Sequence, residues 1–333
     1  MSVKKSHSVL FATLTVLAAG CLSSVPVTAA KPSVTAVAFV PDGRSVVVAS
    51  QAGLKVVEWP TLKLSRTLET SLAQIHDVAF SRDGRFLAVA GGRPAESGRC
   101  EILRWPSGER VAASGGHDNL VYSVAWQSDG KAYATASLDR TCRVVSFRVP
   151  ADKTTDLIGA RLEGHSRAVL AAGFLPGSGQ LLTAGVDQSI RVWKTTGAQP
   201  TIVRALENHT EAVHDLAVRP QEEGALPVIA SVGEDMTVRL WQPTIGRLMR
   251  FARLGRVVPL AVDWAANGQT IVVACDDGHV RLIDPDTVEV VADLPAIDGW
   301  AYALAVHPDG RQVVVGGENA AIKRVVLPVG ESR

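Results

Sequence analysis

Cysteine is scarce in this chain of 333 residues, with four in all. None forms a C-x-x-C or C-x-x-C-H pair. That excludes a zinc ribbon, a thioredoxin-like redox pair and a covalent c-type haem. Charge of one sign is also lacking, since 34 Lys and Arg face 33 Asp and Glu. Residues 1–30 hold Lys4 and Lys5 and no acid, so the remainder carries a net charge of −1. A body so close to neutral argues against nucleic acid or an anionic membrane surface as main partner, because both need a basic footprint. Enzyme signatures are missing as well. There is no G-x-S-x-G, no H-E-x-x-H, no G-x-x-x-x-G-K-[ST] and no strand–G-x-G-x-x-G–helix. What is present is apolar: hydrophobic residues make up 47% and charged residues 20%, enough for a large core and too much for wholesale disorder.

The start of the chain reads as an export signal. Lys4 and Lys5 precede an apolar and small run over residues 9–22. At about 14 residues that run is shorter than the roughly 20 a spanning helix needs. Two cleavage sites compete. LAAGC, ending at Cys21, resembles a bacterial lipoprotein box, with Ala18 where leucine is preferred. Val27-Thr28-Ala29-Ala30 offers an ordinary small-residue site. The expectation is a leader over 1–20, or 1–30 on the second site, and a single propeller over 21–333. It includes an exported protein of the periplasm or cell envelope, whose one link to a membrane is a lipid on Cys21.

Seven repeats fill the rest. An alternating apolar strand leads into a tight turn and a second apolar strand in TAVAFVPDG, HDVAFSRDG, YSVAWQSDG, LAAGFLPGSG, HDLAVRPQEEG, LAVDWAANG and YALAVHPDG. Successive strand ends at Phe39, Phe80, Trp126, Phe174, Val218, Trp264 and Val306 lie 41, 46, 48, 44, 46 and 42 residues apart. Asp-Gly or Asn-Gly marks five of the turns, as hairpins require. Four short strands per period of this length predict an all-β fold, a seven-bladed β-propeller of four-stranded antiparallel blades.

The chain here resembles the WD-repeat β-propeller family over about residues 31–333. Gly116-His117, Gly164-His165 and Asn208-His209 stand at the family's Gly-His position, and Asp139, Asp187 and Asp235 at its turn aspartate. Trp193 and Trp241 stand at its tryptophan. The resemblance implies an internal network His165–Asp187–Thr183–Trp193, a second one His209–Asp235–Ser231–Trp241, and a partial one of His117, Asp139 and Thr135 with Val145 in place of tryptophan. The sixth repeat keeps only Asp277. Because the set recurs in neighbouring blades, it reads as structural and not as a catalytic triad. The family's outer closing strand usually comes from the N-terminus, and residues 23–29 are the candidate.

One column of residues begins the inner strands: Thr35, His76, Tyr122, Leu170, His214, Leu260 and Tyr302, with Trp300 close by. Aromatics and histidines at such a rim suit binding hot spots. His76, Tyr122, His214, Trp300 and Tyr302 are the expected partner-binding residues, opposed by the plainer reading that some merely line the channel. His76-Asp77 and His214-Asp215 suggest a metal, but they fall on nearly opposite blades. Asp at that position can instead hydrogen-bond backbone. No metal site and no cofactor is expected. Cys100 and Cys142 are out of register for a disulfide, and residues 91–99 form a longer loop whose Arg93, Glu96 and Arg99 could read a partner. The function expected is a non-catalytic, monomeric platform for another protein or a peptide. The alternative is a propeller enzyme or a small-ligand or metal binder using the central channel.

Overall fold

The computed structural model describes residues 31–148, 156–197, 199–220 and 225–328, and every regular element among them but one short 3-10 turn is a β-strand. Seven antiparallel sheets follow one another along the chain and form the seven blades of a propeller. Their inner strands are Val34–Phe39, Gln74–Phe80, Val121–Trp126, Val169–Leu175, Val213–Val218, Pro259–Trp264 and Ala301–Val306. Each inner strand turns back into the second strand of its blade. In five of these turns the glycine of an Asp-Gly or Asn-Gly pair takes the positive φ, at Gly43, Gly84, Gly130, Gly268 and Gly310. The residue before it accepts the N–H two positions on through its side-chain oxygen, as Asp129 does from Lys131 at 2.9 Å.

The core is a ring of seven wedges. Alternation puts apolar side chains on both faces of each blade, and each face buries against the neighbouring blade. Seven separate clusters of buried side chains result, one at each junction between adjacent blades. The junction of the last blade with the first is built from Val34, Val37, Val46, Ala303 and Val314. Beside it Trp59 stacks on His307 at 5.7 Å with Phe39 edge-on to both, and His307 Nε2–H donates to the Gly43 carbonyl at 3.0 Å. This joint between residues 264 apart in sequence closes the ring.

Two blades depart from four strands. Blade 2 has a fifth, because residues 156–157 return from blade 3 and pair parallel with the strand Glu109–His117. Blade 7 has three strands among the described residues, and Ile322–Val326 is its outermost. The expected closing strand at 23–29, the leader and Cys21 lie outside the described residues. The segment 91–99 is not a loose loop. Phe86–Arg93 and Ser97–Arg104 run in register through Arg93↔Ser97, so blade 2 extends as a longer hairpin. Cys100 and Cys142 are free and buried in separate clusters, as their register led us to expect.

Candidate functional site

The column at the head of the inner strands has a backbone cause that the sequence did not show. Thr35, His76, Tyr122, Leu170, His214, Leu260 and Tyr302 are each skipped in the pairing of inner strand with second strand. All seven are therefore β-bulges. A bulge leaves one residue unpaired and re-aims its side chain, and it increases local twist. Repeated seven times at the same depth, it sets a ring of side chains around the mouth of the channel.

The five residues expected to bind a partner divide into two pairs and a single. His76 stacks on Tyr122 across the blade 2–3 junction, with ring centroids 4.9 Å apart and planes at 26°. Trp300 meets Tyr302 at 5.9 Å, and the Tyr302 hydroxyl donates to Glu318 at 3.4 Å. His214 stands apart, its Nδ1–H donating to the Pro259 carbonyl of the next blade at 3.2 Å. Tyr122 and Trp300 keep 38% and 42% of their surface, which is unusual for large apolar rings that pack elsewhere in this core. Burial lowers the His76 imidazole below its ordinary value and so keeps it neutral, and its Nε2 is buried with no hydrogen-bond partner. Burial and the Glu318 carboxylate raise the Tyr302 phenol to about 12.

Below the mouth, carboxylates join neighbouring blades. Asp77 accepts from its neighbour Val78 N–H and from Val124 N–H of blade 3, both at 2.8 Å. Asp215 accepts from Leu216 and from Val262 of blade 6 at 2.8 and 2.9 Å. Asp263 accepts from Trp264 and from Val306 of blade 7 at 2.8 and 2.9 Å. The second donor in each case is an inner-strand N–H facing away from its own sheet. Left unpaired, such a group costs about 1–3 kcal/mol, and the carboxylate of the preceding blade satisfies it. Burial raises all three acids, Asp77 and Asp263 to about 6 and Asp215 to about 7. Asp77 and Asp263 add to the rise at Asp215 by repulsion. All three are half-buried, as befits the wall of a narrow channel.

Asp77 and Asp215 thus hold backbone, which was the plainer of the two sequence readings. Asp263 was missed. Its signal was present: LAVDWAANG carries aspartate where the other repeats carry alanine or glycine. Glu318 was also missed, because it lies in the turn after the second strand of blade 7, outside the column. Among the described residues, no group of three or more His, Cys, Asp or Glu side chains is arranged to hold a metal ion.

The residues of the implied network are in contact. In blade 4, Trp193 Nε1–H donates to Thr183 Oγ1 at 2.8 Å. Thr183 Oγ1 lies 2.7 Å from His165 Nε2, and His165 Nδ1 lies 2.9 Å from Asp187. In blade 5 the same path runs from Trp241 to Ser231 at 2.9 Å, to His209 Nε2 at 2.7 Å, and from His209 Nδ1 to Asp235 at 2.9 Å. One neutral histidine, protonated on Nδ1, satisfies every donor on this path. In blade 3, His117 bridges Thr135 and Asp139 at 2.9 and 2.8 Å, without a tryptophan. Asp277 of blade 6 instead takes a two-pronged bond from Arg281 at 3.0 and 2.7 Å.

Fold and network together define a seven-bladed β-propeller whose middle blades are pinned by buried Asp–His bonds. The chain matches the family model of the WD domain, G-beta repeat, in four segments, residues 107–146, 158–194, 200–242 and 255–284. It is similar to the B-type cell cycle switch protein ccs52B of Medicago truncatula, 26% identical over 74% of this chain and 48% of that protein. THO complex subunit 3 of Arabidopsis thaliana is 26% identical over 62% of this chain and 63% of that protein. Coronin-7 of Mus musculus is 33% identical over 44% of this chain and 16% of that protein. The chain thus spans about half the length of ccs52B and less of coronin-7.

Proposed function

We propose that this propeller is a non-catalytic platform that holds a partner protein or peptide on the face where the inner strands begin. One observation carries the reading. Seven in-phase bulges set side chains around the channel mouth, and two of the aromatics there, Tyr122 and Trp300, remain exposed. Exposed rings that the core does not use are the usual anchors of interfaces. Two of the relatives are, by name, parts of larger assemblies: THO complex subunit 3 and the COMPASS component SWD3 of Saccharomyces cerevisiae. The propeller itself works as a monomer. The test is capture from the native source by the wild type and by a Tyr122→Ala/Trp300→Ala variant of unchanged melting temperature. A protein held by the wild type and reduced tenfold or more on the variant is expected. Equal capture by both would remove the interface from this face.

We place the platform outside the cytoplasm, lipid-anchored through Cys21, on the strength of the sequence pattern of residues 1–22. Radiolabelled palmitate should enter the wild type expressed in a bacterial host and not Cys21→Ala. Label absent from both, with the leader removed further along, would establish a secreted form without an anchor.

A further inference from the structure

Resting on the platform reading, we propose that the channel mouth takes an arginine side chain presented by a partner peptide, its guanidinium stacked on Trp300 and Tyr302 and paired with Glu318. None of the seven bulge positions holds lysine or arginine. The polar groups offered at the mouth accept hydrogen bonds or carry negative charge. Glu318 receives one bond from Tyr302 and has capacity for more. The Nε2 of His76, on blade 2 and two blades further round the ring, is buried without a partner, and on a neutral ring whose Nδ1 holds the proton it is an acceptor. The channel wall beneath carries the carboxylates of Asp77, Asp215 and Asp263. On the same face the turns and loops of blades 4 to 7 add exposed Glu207, Glu211, Glu234 and Asp298 against Arg167 and Arg256.

A cation is the complement of this arrangement, and the rings beside Glu318 specify which cation. Trp300 and Tyr302 stand tilted to each other beside the carboxylate, so a ligand can meet an aromatic face and a negative charge together. A guanidinium is planar, stacks on aromatic faces and binds carboxylate through two parallel N–H bonds. An ammonium does only part of this, and it is more strongly hydrated. An apolar anchor would desolvate Glu318 without filling the acceptor sites that Tyr302 leaves open.

The experiment uses the full chain, immobilised, and a displayed library of random twelve-residue peptides. Enriched peptides are expected to share an arginine. A synthetic copy of one should lose at least thirtyfold in affinity when that arginine is replaced by citrulline, and about fivefold when replaced by lysine. Glu318→Gln should weaken the arginine peptide about tenfold and leave the citrulline peptide unchanged, a pattern that loss of folding cannot produce. Trp300→Phe should retain most of the affinity and Trp300→Ala little. If enriched peptides lack arginine, or bind equally well as citrulline forms, yet are lost on Trp300→Ala, this proposal is overturned and the platform reading stands. If the library yields no peptide, or only peptides indifferent to the Tyr122→Ala/Trp300→Ala variant, both are overturned.

Discussion

Asp235→Ala is expected to destabilise the propeller by about 3–5 kcal/mol, the range for breaking one side of a buried charged pair. For a chain of this size that is a fall in melting temperature of roughly 5–8 °C. The reason is the number of groups one carboxylate serves. Asp235 accepts from His209 Nδ1–H, from the Thr210 N–H, and from both the hydroxyl and the N–H of Thr237. Arg239 adds a further bond at 3.2 Å. The Asp235 side chain is 3% exposed and that of His209 is wholly buried, so water cannot replace what is lost. Burial alone would raise this carboxyl, but the bonds from His209 and Thr237 hold it well below the usual carboxylate range. Its stabilisation is therefore present above about pH 4, the ordinary unfolded value, and is lost as pH falls through the lower folded one. The comparison is Asp277→Ala at the matching turn of blade 6. That carboxylate is one-third exposed, and Arg281 keeps Asp293 at 3.0 Å. Its removal should cost less than about 1 kcal/mol. Calorimetric melting of both variants at pH 7 checks the pair. Equal losses, or an Asp235→Ala melt within 2 °C of wild type, would show that the network is not what pins the blade.

The difference between these two turns shows how far the sequence could be read. GVDQS and GEDMT announce their aspartates, and the spacing to Gly-His and to Trp193 or Trp241 places the whole network. Each network lies within one blade, and the in-phase repeat carries it. The apolar alternation and the turns did the same for the propeller, because both are local signals. What could not be read depends on contacts between blades. The bulges needed the pairing register. The stacking of His76 on Tyr122 and the cluster of Phe39, Trp59 and His307 bring together residues from different repeats, with no local pattern to mark them. The fifth strand of blade 2 comes from a stretch without alternation in the connection from blade 3. Asp263 was overlooked because it breaks the column by two positions. It acts one step deeper in the channel than Asp77 and Asp215 do.

Those three acids give the second large effect, and its sign is opposite to that of Asp235. Asp215 is raised first by burial. The N–H groups of Val262 and Leu216 pull it back, and Asp77 and Asp263 push it up again, to about 7. A carboxyl raised in the folded state binds protons that the unfolded chain has already released. Its stabilisation is thus full near pH 4 and is lost as pH rises through about 6 for Asp77 and Asp263, and about 7 for Asp215. His76 and His209, both lowered by burial, oppose this trend below the ordinary imidazole value, because they resist charging in the fold. Above about pH 7.5, where the unfolded imidazoles have released their protons, the histidines no longer contribute, and Tyr122, raised by burial and by Asp215 and Asp77, stays neutral. Between pH 6.5 and 8 the three acids should therefore cost the wild type about 1 kcal/mol, roughly 1.5 °C of melting temperature for a chain of this size, partly offset by the histidines. Asp215→Asn keeps one acceptor and removes the charge, so most of that slope should vanish. Asp215→Ala also removes the slope, but it strands the Val262 and Leu216 N–H groups at about 2–3 kcal/mol at every pH. A wild-type melting temperature that does not fall relative to that of Asp215→Asn from pH 6.5 to 8 would refute the shared channel charge. If Asp215→Asn and Asp215→Ala melted alike, the bond between blades 5 and 6 would not matter to the ring. The expected order, with alanine well below asparagine at pH 8, separates the two roles of this carboxylate: its hydrogen bonds hold adjacent blades together, and its charge loosens them as it forms.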